Sequence, residues 1–579
     1  MSSDVQRGDV AWTRGYSDDY WNDPVTPLFF ELLGDQLCQV VNTELNQIMG
    51  YSRPGDRVDQ LLLLHRAHAY FNLGVLKRKV EYEIPPMLRN DDILNYFEDG
   101  AGEYGKETMK KQPFRLTKRV LAEIRVMLYD GNGSITKTAS AYENWSRKEF
   151  EPFLAGFDSR MQRLSEKDDV LGYVALAAEL DRLMIGHFRL VRYGIPVHNI
   201  GMNLIAQYLL GRFLGKEEAI GLYPVLLSGL RHKTSETNQA LFRLASTVQR
   251  SSGLRSTILE VPSNDLLNLL RSDGNPEVVR FVSDLDAFFV DYGVRGFTRE
   301  PYYPRWYEAP EYVFNMLKSM VQDDDAVGKR TECGNGHDSL SELDIASRVK
   351  SLRLGWVKWR VFSVVLGFAR RYIVFRENQR FNLDRWITMN RRIYLEIGKA
   401  FTSLGVLSGP DDVFFLRKNE VRRIASQKST VDELEKIKRV TQERKLDFLR
   451  NEYVTPPKFL HGGHESVEAD LGVATVLEGI PASRGCLSGQ VRVLDRIEDI
   501  WRVRAGEILV VPRTDPGWTP VFRRIGGLIT ETGGLLSHGA VVSREYGIPA
   551  VTNIPNACRI FKTGQTVTID GSKGTVTVL

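Results

Sequence analysis

"GGLITETGGLLSHGAVVSREYGIPAV", residues 526–551, decides how this chain is read. The run up to Thr530 is apolar and short, the pattern of a buried strand. The turn that follows holds Gly533 and Gly534, which permit positive φ and let consecutive amides point into one concavity. "LLSHGAVVSREY" then reads as a helix that stops before Gly547 and Pro549. His538 falls in its first turn. Unpaired amides and the positive dipole end lower imidazole basicity there and favour the neutral, nucleophilic ring. The same groups stabilise a phosphate on that ring. The hydroxyls of Ser537 and Thr532 can donate to such a phosphate or cap the helix. A lone histidine here would read as a turn residue, but the Gly-Gly pair, Gly539 and Ala540 open space around it. Ser537 is a poor nucleophile for a Ser-His pair, because helical neighbours do not face each other and no G-x-S-x-G elbow is present.

The 579 residues exceed one ordinary domain and correspond to roughly four core-sized units. A content of 42% hydrophobic and 26% charged residues is that of a globular protein, and a net charge of +4 supplies no global field for nucleic acid or membrane binding. No signal-like apolar segment opens the chain, and no uncharged apolar run approaches ~18–20 residues. The expected location is cytoplasmic. Cys38, Cys333, Cys486 and Cys558 form no C-x-x-C pair, which argues against a disulfide scaffold or structural zinc and fits a reducing compartment. Cys333 and His337 fall in the polar segment 322–340, read as a mobile loop without further metal ligands. No metal site is expected from the residues. "GAGEYGKET" has the spacing of a phosphate-binding P-loop at Gly100, Gly105 and Lys106, but Glu107 replaces the Ser/Thr and no buried strand precedes it.

Residues 27–450 read mainly as helix, with apolar residues at three- and four-residue spacing in 58–80, 169–191, 199–214, 264–290, 346–375 and 384–405. "NEYVTPPKFLHGG" reads as a linker. Beyond it, "GQVRVL", "EILVVP", "GGLIT", "TVTID" and "GTVTVL" read as strands. The expected architecture is multidomain: a large mainly α-helical domain over 1–452, a linker over 453–470, and a small α/β domain over 471–579 that carries His538.

The pattern T-x-x-G-G-x-x-S-H-x-A-x-x-x-R-E-x-G-I-P-A-V resembles the phosphohistidine swivelling domain of phosphoenolpyruvate-utilising enzymes. Its flanks "GIPASRGCLSGQVRVL" (479–494) and "GEILVVPRTDPGWTPVF" (506–522) resemble the opening and centre of that domain. In the body, "WTRGYSDDYWNDPVTPLFF" (12–30), "YGVRGFTREPYYPRWYEAP" (292–310), "RRYIVFRENQRFN" (370–382) and "DVFFLRKNEV" (412–421) look like the helical substrate domain of the rifampicin phosphotransferase and phenylphosphate synthase branch. The resemblance implies that His538 accepts a phosphoryl group at one place and delivers it at another. Relatives often open with an ATP-grasp domain. The sequence shows none, nor a phosphoenolpyruvate-binding barrel, so the expected partner is a separate ATP-binding subunit, as in phenylphosphate synthase. The implied acceptor is phenol or a similar hydroxyl compound, with Mg²⁺ or Mn²⁺ neutralising phosphate charge.

Transfer to a hydroxyl needs cations around the phosphoryl oxygens. Arg376 and Arg380 stand at i and i+4 in "FRENQR", one face of a helix, and the resemblance places that segment at the acceptor site. Arg295 and Arg305 are second candidates, with Glu300 or Glu377 as orienting or basic groups. The alternative is that these arginines pair with nearby carboxylates as structural ion pairs. Tyr302, Tyr303, Trp306 and Tyr307 either line a pocket for an apolar alcohol or pack in the core. His187, His198 and His232 read as satisfied helix histidines, any one of which can alternatively deprotonate an acceptor. Two rival functions remain: a non-catalytic binding or regulatory protein that keeps the fold, and a carrier charged by phosphoenolpyruvate.

Overall fold

The computed structural model describes residues 10–579 except 16–20, 22–23, 57–58, 90–93, 95, 99, 228, 322–340, 453, 455, 463, 466–475, 496, 515 and 535–536. Cys333 and His337 therefore lie outside the described residues, and Cys38, Cys486 and Cys558 are free thiols. The chain is a large mainly helical region followed by a small C-terminal α/β domain. No described helix is long and apolar enough to cross a membrane. The backbone packs as two compact units, one of Met1–Gly201, Thr298–Tyr303 and Asn382–Ala469, the other of Met202–Phe297, Pro304–Phe381 and Asp470–Leu579. Helix Gly355–Ser403 contributes residues to both. The spacing predicts two segments, 346–375 and 384–405, but 376–383 holds no proline or glycine to separate them.

The first unit is not purely helical. Leu62–His65 and His68–Asn72 form an antiparallel hairpin where the spacing predicts a helix over 58–80. The turn residues Arg66 and Ala67 both have positive φ, 46° and 57°, the conformation that a two-residue hairpin demands and that normally selects Asn or Gly. The helix begins only at Leu73, where the Asn72 side chain accepts from the Gly74 amide. The hairpin continues through Ala11–Thr13 to Phe459–His461 and His464–Glu465, so part of the expected linker is sheet. Helix Val170–Tyr193 supplies the apolar face Leu176, Leu180, Met184 and Phe188.

In the second unit, helices Lys233–Arg250, Ser252–Glu260, Ser263–Ser272, Pro276–Tyr292 and Glu311–Val321 bury one core that includes Phe281, Leu285, Phe314 and Leu317. The helix expected over 264–290 breaks at Gly274, because Asn275 caps the Glu277 amide and Pro276 opens a new helix. The C-terminal domain is an eight-stranded sheet in the order Val476–Glu478, Thr575–Val578, Thr566–Asp570, Cys486–Val493, Ile508–Val511, Gly527–Thr530, Ala550–Thr552, Ile480–Ser483. Its central strands Cys486–Val493, Ile508–Val511, Gly527–Thr530 and Ala550–Thr552 run parallel. Ile508–Val511 and Gly527–Thr530 are buried throughout, as parallel strands covered on both faces must be. The loop after Gly527–Thr530 lies at the carboxyl end of this parallel layer, where open α/β sheets present their sites.

Candidate functional site

After strand Gly527–Thr530 the chain turns through Gly533, whose φ is +115°. A Cβ there would stand 3.0 Å from the Ser537 side chain. Gly534 offers its carbonyl to the Ser537 amide at 2.9 Å. Ser537 is the N-cap: its φ and ψ are extended, and its Oγ accepts from the Ala540 amide at 3.4 Å. His538 is thus the first residue of helix His538–Tyr546, which ends at Gly547 in the left-handed conformation. Gly539 lets the helix approach the sheet closely, since a Cβ would meet Thr514 Oγ1 at 2.6 Å and Leu528 Cδ2 at 3.0 Å. Thr532 stands at the strand end, bound to the Pro512 carbonyl through its amide at 3.1 Å and its hydroxyl at 3.4 Å.

The His538 ring is buried. Phe522 meets it edge-on, with centroids 6.4 Å apart, and Thr519 Oγ1 lies 3.3 Å from Nε2. Both belong to the short helix Pro516–Arg523. Burial is the first cause that lowers the imidazole pKa, to about 3. Glu377 opposes the shift, while Arg380, Arg295 and His232 add to it. At neutral pH the ring is therefore uncharged, the form that can act as a nucleophile.

Glu377 is buried on the long helix. Burial raises its pKa, but Arg380, Arg376, His232 and His538 overcome that and hold it down to about 2. Arg380 Nη1 stands 3.8 Å from Glu377 Oε1, and Thr234 Oγ1 donates to Oε2 at 2.9 Å. Arg295 rests its guanidinium over the Phe381 ring at 5.2 Å, which fixes its plane. Arg376, Glu377, Arg380 and Arg295 thus form one charged cluster with His538, all within the second unit. Glu377 is too weak a base to deprotonate a hydroxyl near neutral pH, so its fitting role is orientation and charge balance.

Other expectations have a different outcome. Glu300 belongs to the first unit, where its carboxylate accepts from the Thr26 amide at 3.0 Å, the Thr26 hydroxyl at 2.8 Å and the Tyr302 amide at 3.2 Å. Those bonds anchor the start of helix Pro27–Leu37. Arg305 is buried, its amide donating to Glu308 Oε2 at 2.8 Å. The aromatic group is core packing at three of its four members. Trp306 stacks on Phe288 at 6.1 Å, and Tyr302 and Tyr303 pack against Phe448. Tyr307 is partly exposed. His187 and His198 are interior histidines, His187 Nδ1 3.0 Å from the Tyr142 hydroxyl and His198 Nε2 2.9 Å from the Gly133 carbonyl. His232 instead joins the site. Thr519, Phe522 and Thr234 were not legible as site residues, because only tertiary contact brings them there.

Among the described residues, no group of three or more His, Cys, Asp or Glu side chains is gathered to hold a metal. Around His538 the carboxylate at hand is Glu377, flanked by Arg380 and Thr234. One carboxylate among cations does not fit a resident Mg²⁺ or Mn²⁺, which needs several oxygen ligands.

Residues 503–574 match the mobile domain of PEP-utilising enzymes, and residues 193–377 match the fourth domain of rifampicin phosphotransferase. The chain is 28% identical over 380 residues to a rifampicin phosphotransferase of Bacillus cereus, covering 64% of this chain and 42% of that protein. It is 29% identical over 383 residues to a rifampicin phosphotransferase of Streptomyces sviceus, covering 64% and 42%. It is 28% identical over 380 residues to the prodigiosin-synthesising transferase of Serratia marcescens, covering 64% and 41%. The chain therefore spans about two-fifths of the length of these curated relatives. Residues 503–574 are thus similar to the mobile domain of phosphoenolpyruvate-utilising enzymes, the family that the pattern around His538 resembles.

Proposed function

We propose that this chain is a phosphotransferase in which His538 carries a phosphoryl group from an ATP-dependent charging unit to a hydroxyl acceptor. The observation that carries the reading is the buried, uncharged His538 at a helix start, set among Arg380, Arg295 and His232. An imidazole nitrogen attacks the donor phosphorus as the bond to the leaving phosphate breaks. In the second half-reaction the acceptor oxygen attacks that phosphorus and the P–N bond breaks, returning the neutral ring. Both transition states spread negative charge over the equatorial oxygens, which cationic side chains held in place stabilise. Arg380 and Arg295 supply that charge, with Arg376 beside them; Glu377 keeps the arginines apart and oriented. The helix-start amides at His538 add a fixed positive end for the bound phosphate.

The charging unit is of the ATP-grasp kind, on the same polypeptide or as a separate subunit. Mg²⁺ or Mn²⁺ accompanies the donor nucleotide rather than residing beside His538. The acceptor is a phenol or similar alcohol. Two of the three relatives above are named rifampicin phosphotransferases, which supports transfer to a hydroxyl-bearing small molecule. The family of the mobile domain supports a second donor, phosphoenolpyruvate. Labelled ATP and labelled phosphoenolpyruvate, each with and without lysate of the source cells, separate these readings. Acid-labile label in the wild type and none in His538→Ala is the expected result. Label retained in the variant refutes His538 as the carrier.

A further inference from the structure

Two polar contacts tie the start of helix Lys233–Arg250 to the long helix beside His538. The Lys233 amide donates to Asn378 Oδ1 at 3.0 Å, and Thr234 Oγ1 donates to Glu377 Oε2 at 2.9 Å. The N-cap of that helix is His232, itself buried. Its Nδ1 accepts from the Ser235 amide at 3.3 Å, and its own amide donates to Ser235 Oγ at 2.9 Å. Histidine is not among the residues favoured at an N-cap, where Asn, Asp, Ser, Thr or Gly serve. Capping alone therefore does not explain it.

The cap has a chemical consequence for the ring. A backbone amide can donate only to an unprotonated nitrogen, so neutral His232 carries its proton on Nε2. Nε2 is then a donor, with no lone pair for accepting a proton. His232 lies close enough to act electrostatically on both Glu377 and His538, which places it beside them. A buried carboxylate stays ionised only where donors and cations replace its lost water. The Thr234 hydroxyl and the arginines do so for Glu377, with His232 nearby.

We propose that the His232–Ser235 cap is a positioning element of the His538 site. The Thr234 hydroxyl and the tautomer-locked Nε2–H of His232 hold the Glu377 carboxylate ionised and aimed, and Glu377 in turn spaces Arg376 and Arg380 for the phosphoryl oxygens. His232 is thereby a hydrogen-bond donor and not the base that deprotonates the acceptor. The positioning role rests on the phosphoryl-carrier reading of His538; the tautomer of His232 does not.

The test uses the full chain with ring-¹⁵N histidine. The variants are His232→Asn, His232→Asp, Thr234→Ser and Thr234→Val. Nitrogen NMR reads the His232 tautomer. Phosphoramidate, which loses ammonia as the new P–N bond forms, charges His538 without any partner protein. The expected spectrum shows His232 protonated on Nε2 and bare on Nδ1. Thr234→Val and His232→Asp should slow charging by about 10- to 100-fold, the size of losing one hydrogen bond to a charged group. Thr234→Ser, which restores the hydroxyl donor, should recover most of the rate, whereas His232→Asn, whose amide reproduces the capping acceptor but is too short to place a donor where Nε2 stands, should stay slow. His232→Asn keeps a capping oxygen without adding charge, so its melting temperature should stay close to that of the wild type while its rate falls. A His232 protonated on Nδ1, or rates that merely follow the melting temperatures, overturns the proposal. A wild-type His538 that takes no phosphate overturns the carrier reading and the positioning role together, whereas an active wild type with indifferent variants overturns the positioning role alone.

Discussion

His198 in the first unit and His538 in the second are both buried imidazoles, and burial is the leading cause that lowers both pKa values, to about 4 and about 3. They differ in what faces the ring. His198 Nε2 lies 2.9 Å from the Gly133 carbonyl, which can only accept, so that nitrogen must carry a proton. His538 Nε2 lies 3.3 Å from the Thr519 hydroxyl, which can give or take a hydrogen bond and leaves the nitrogen able to be a nucleophile. Burial makes a histidine neutral in either place. Only the second is ringed by Arg380, Arg295, His232 and Glu377, a set suited to an arriving phosphate.

The sharpest way to break the comparison is to remove each ring. His538→Ala should reduce phosphoryl transfer by at least about a thousandfold, the scale of losing a covalent carrier. His198→Gln should leave transfer in place and cost about 1–3 kcal/mol of stability for the lost buried hydrogen bond, read by denaturant unfolding. Next in size is Arg380→Met, for which transfer should fall by about 100- to 1,000-fold as one cation at the phosphoryl group disappears. Measured on acid-labile label, an unaffected rate would reduce Arg380 to a structural partner of Glu377.

Glu377→Gln should act on both stability and rate. It leaves the arginines without their carboxylate and should cost about 3 kcal/mol or more. It also sharpens the pH behaviour. His538 takes a proton near 6.5 when unfolded and near 3 when folded, so the unfolded chain binds more protons as pH falls through 6.5. Stability is lost from there down to about pH 3. Glu377 contributes in the same direction over a lower window: its stabilisation is whole above about 4.5 and is lost as pH falls towards 2. Acid titrations of unfolding should show the upper part flattened in His538→Ala and the lower part flattened in Glu377→Gln.

Gly533→Ala should have the smallest effect, about 1–2 kcal/mol, because it places a side chain at φ +115° and 3.0 Å from Ser537. Melting curves check it.

The C-terminal domain was readable because its strands are short, apolar and separated by turn residues, and each expected run there coincides with an observed strand. The hairpin at 62–72 was not. "LLLLHRAHAYFN" satisfies a helical spacing, and its turn uses Arg66 and Ala67, which carry no turn signature. At the site, His538, Arg376, Arg380, Glu377 and Arg295 could be named from motif and charge. Thr519 and Thr234 could not, since each reaches its partner across 19 and 143 residues of chain. Glu300 misled for the converse reason: its neighbourhood in sequence suggested the acceptor site, while its bonds go to Thr26, 274 residues away.

The most direct measurement of the central claim is the phosphorylation state of His538 itself. Purified protein, incubated with β-labelled ATP and lysate of the source cells, should yield acid-labile, base-stable label on a peptide containing His538. His198→Gln should give the same label and His538→Ala none. No label on His538 under any donor, ATP or phosphoenolpyruvate, would contradict the account and leave the cluster around Glu377 as a structural ion-pair network.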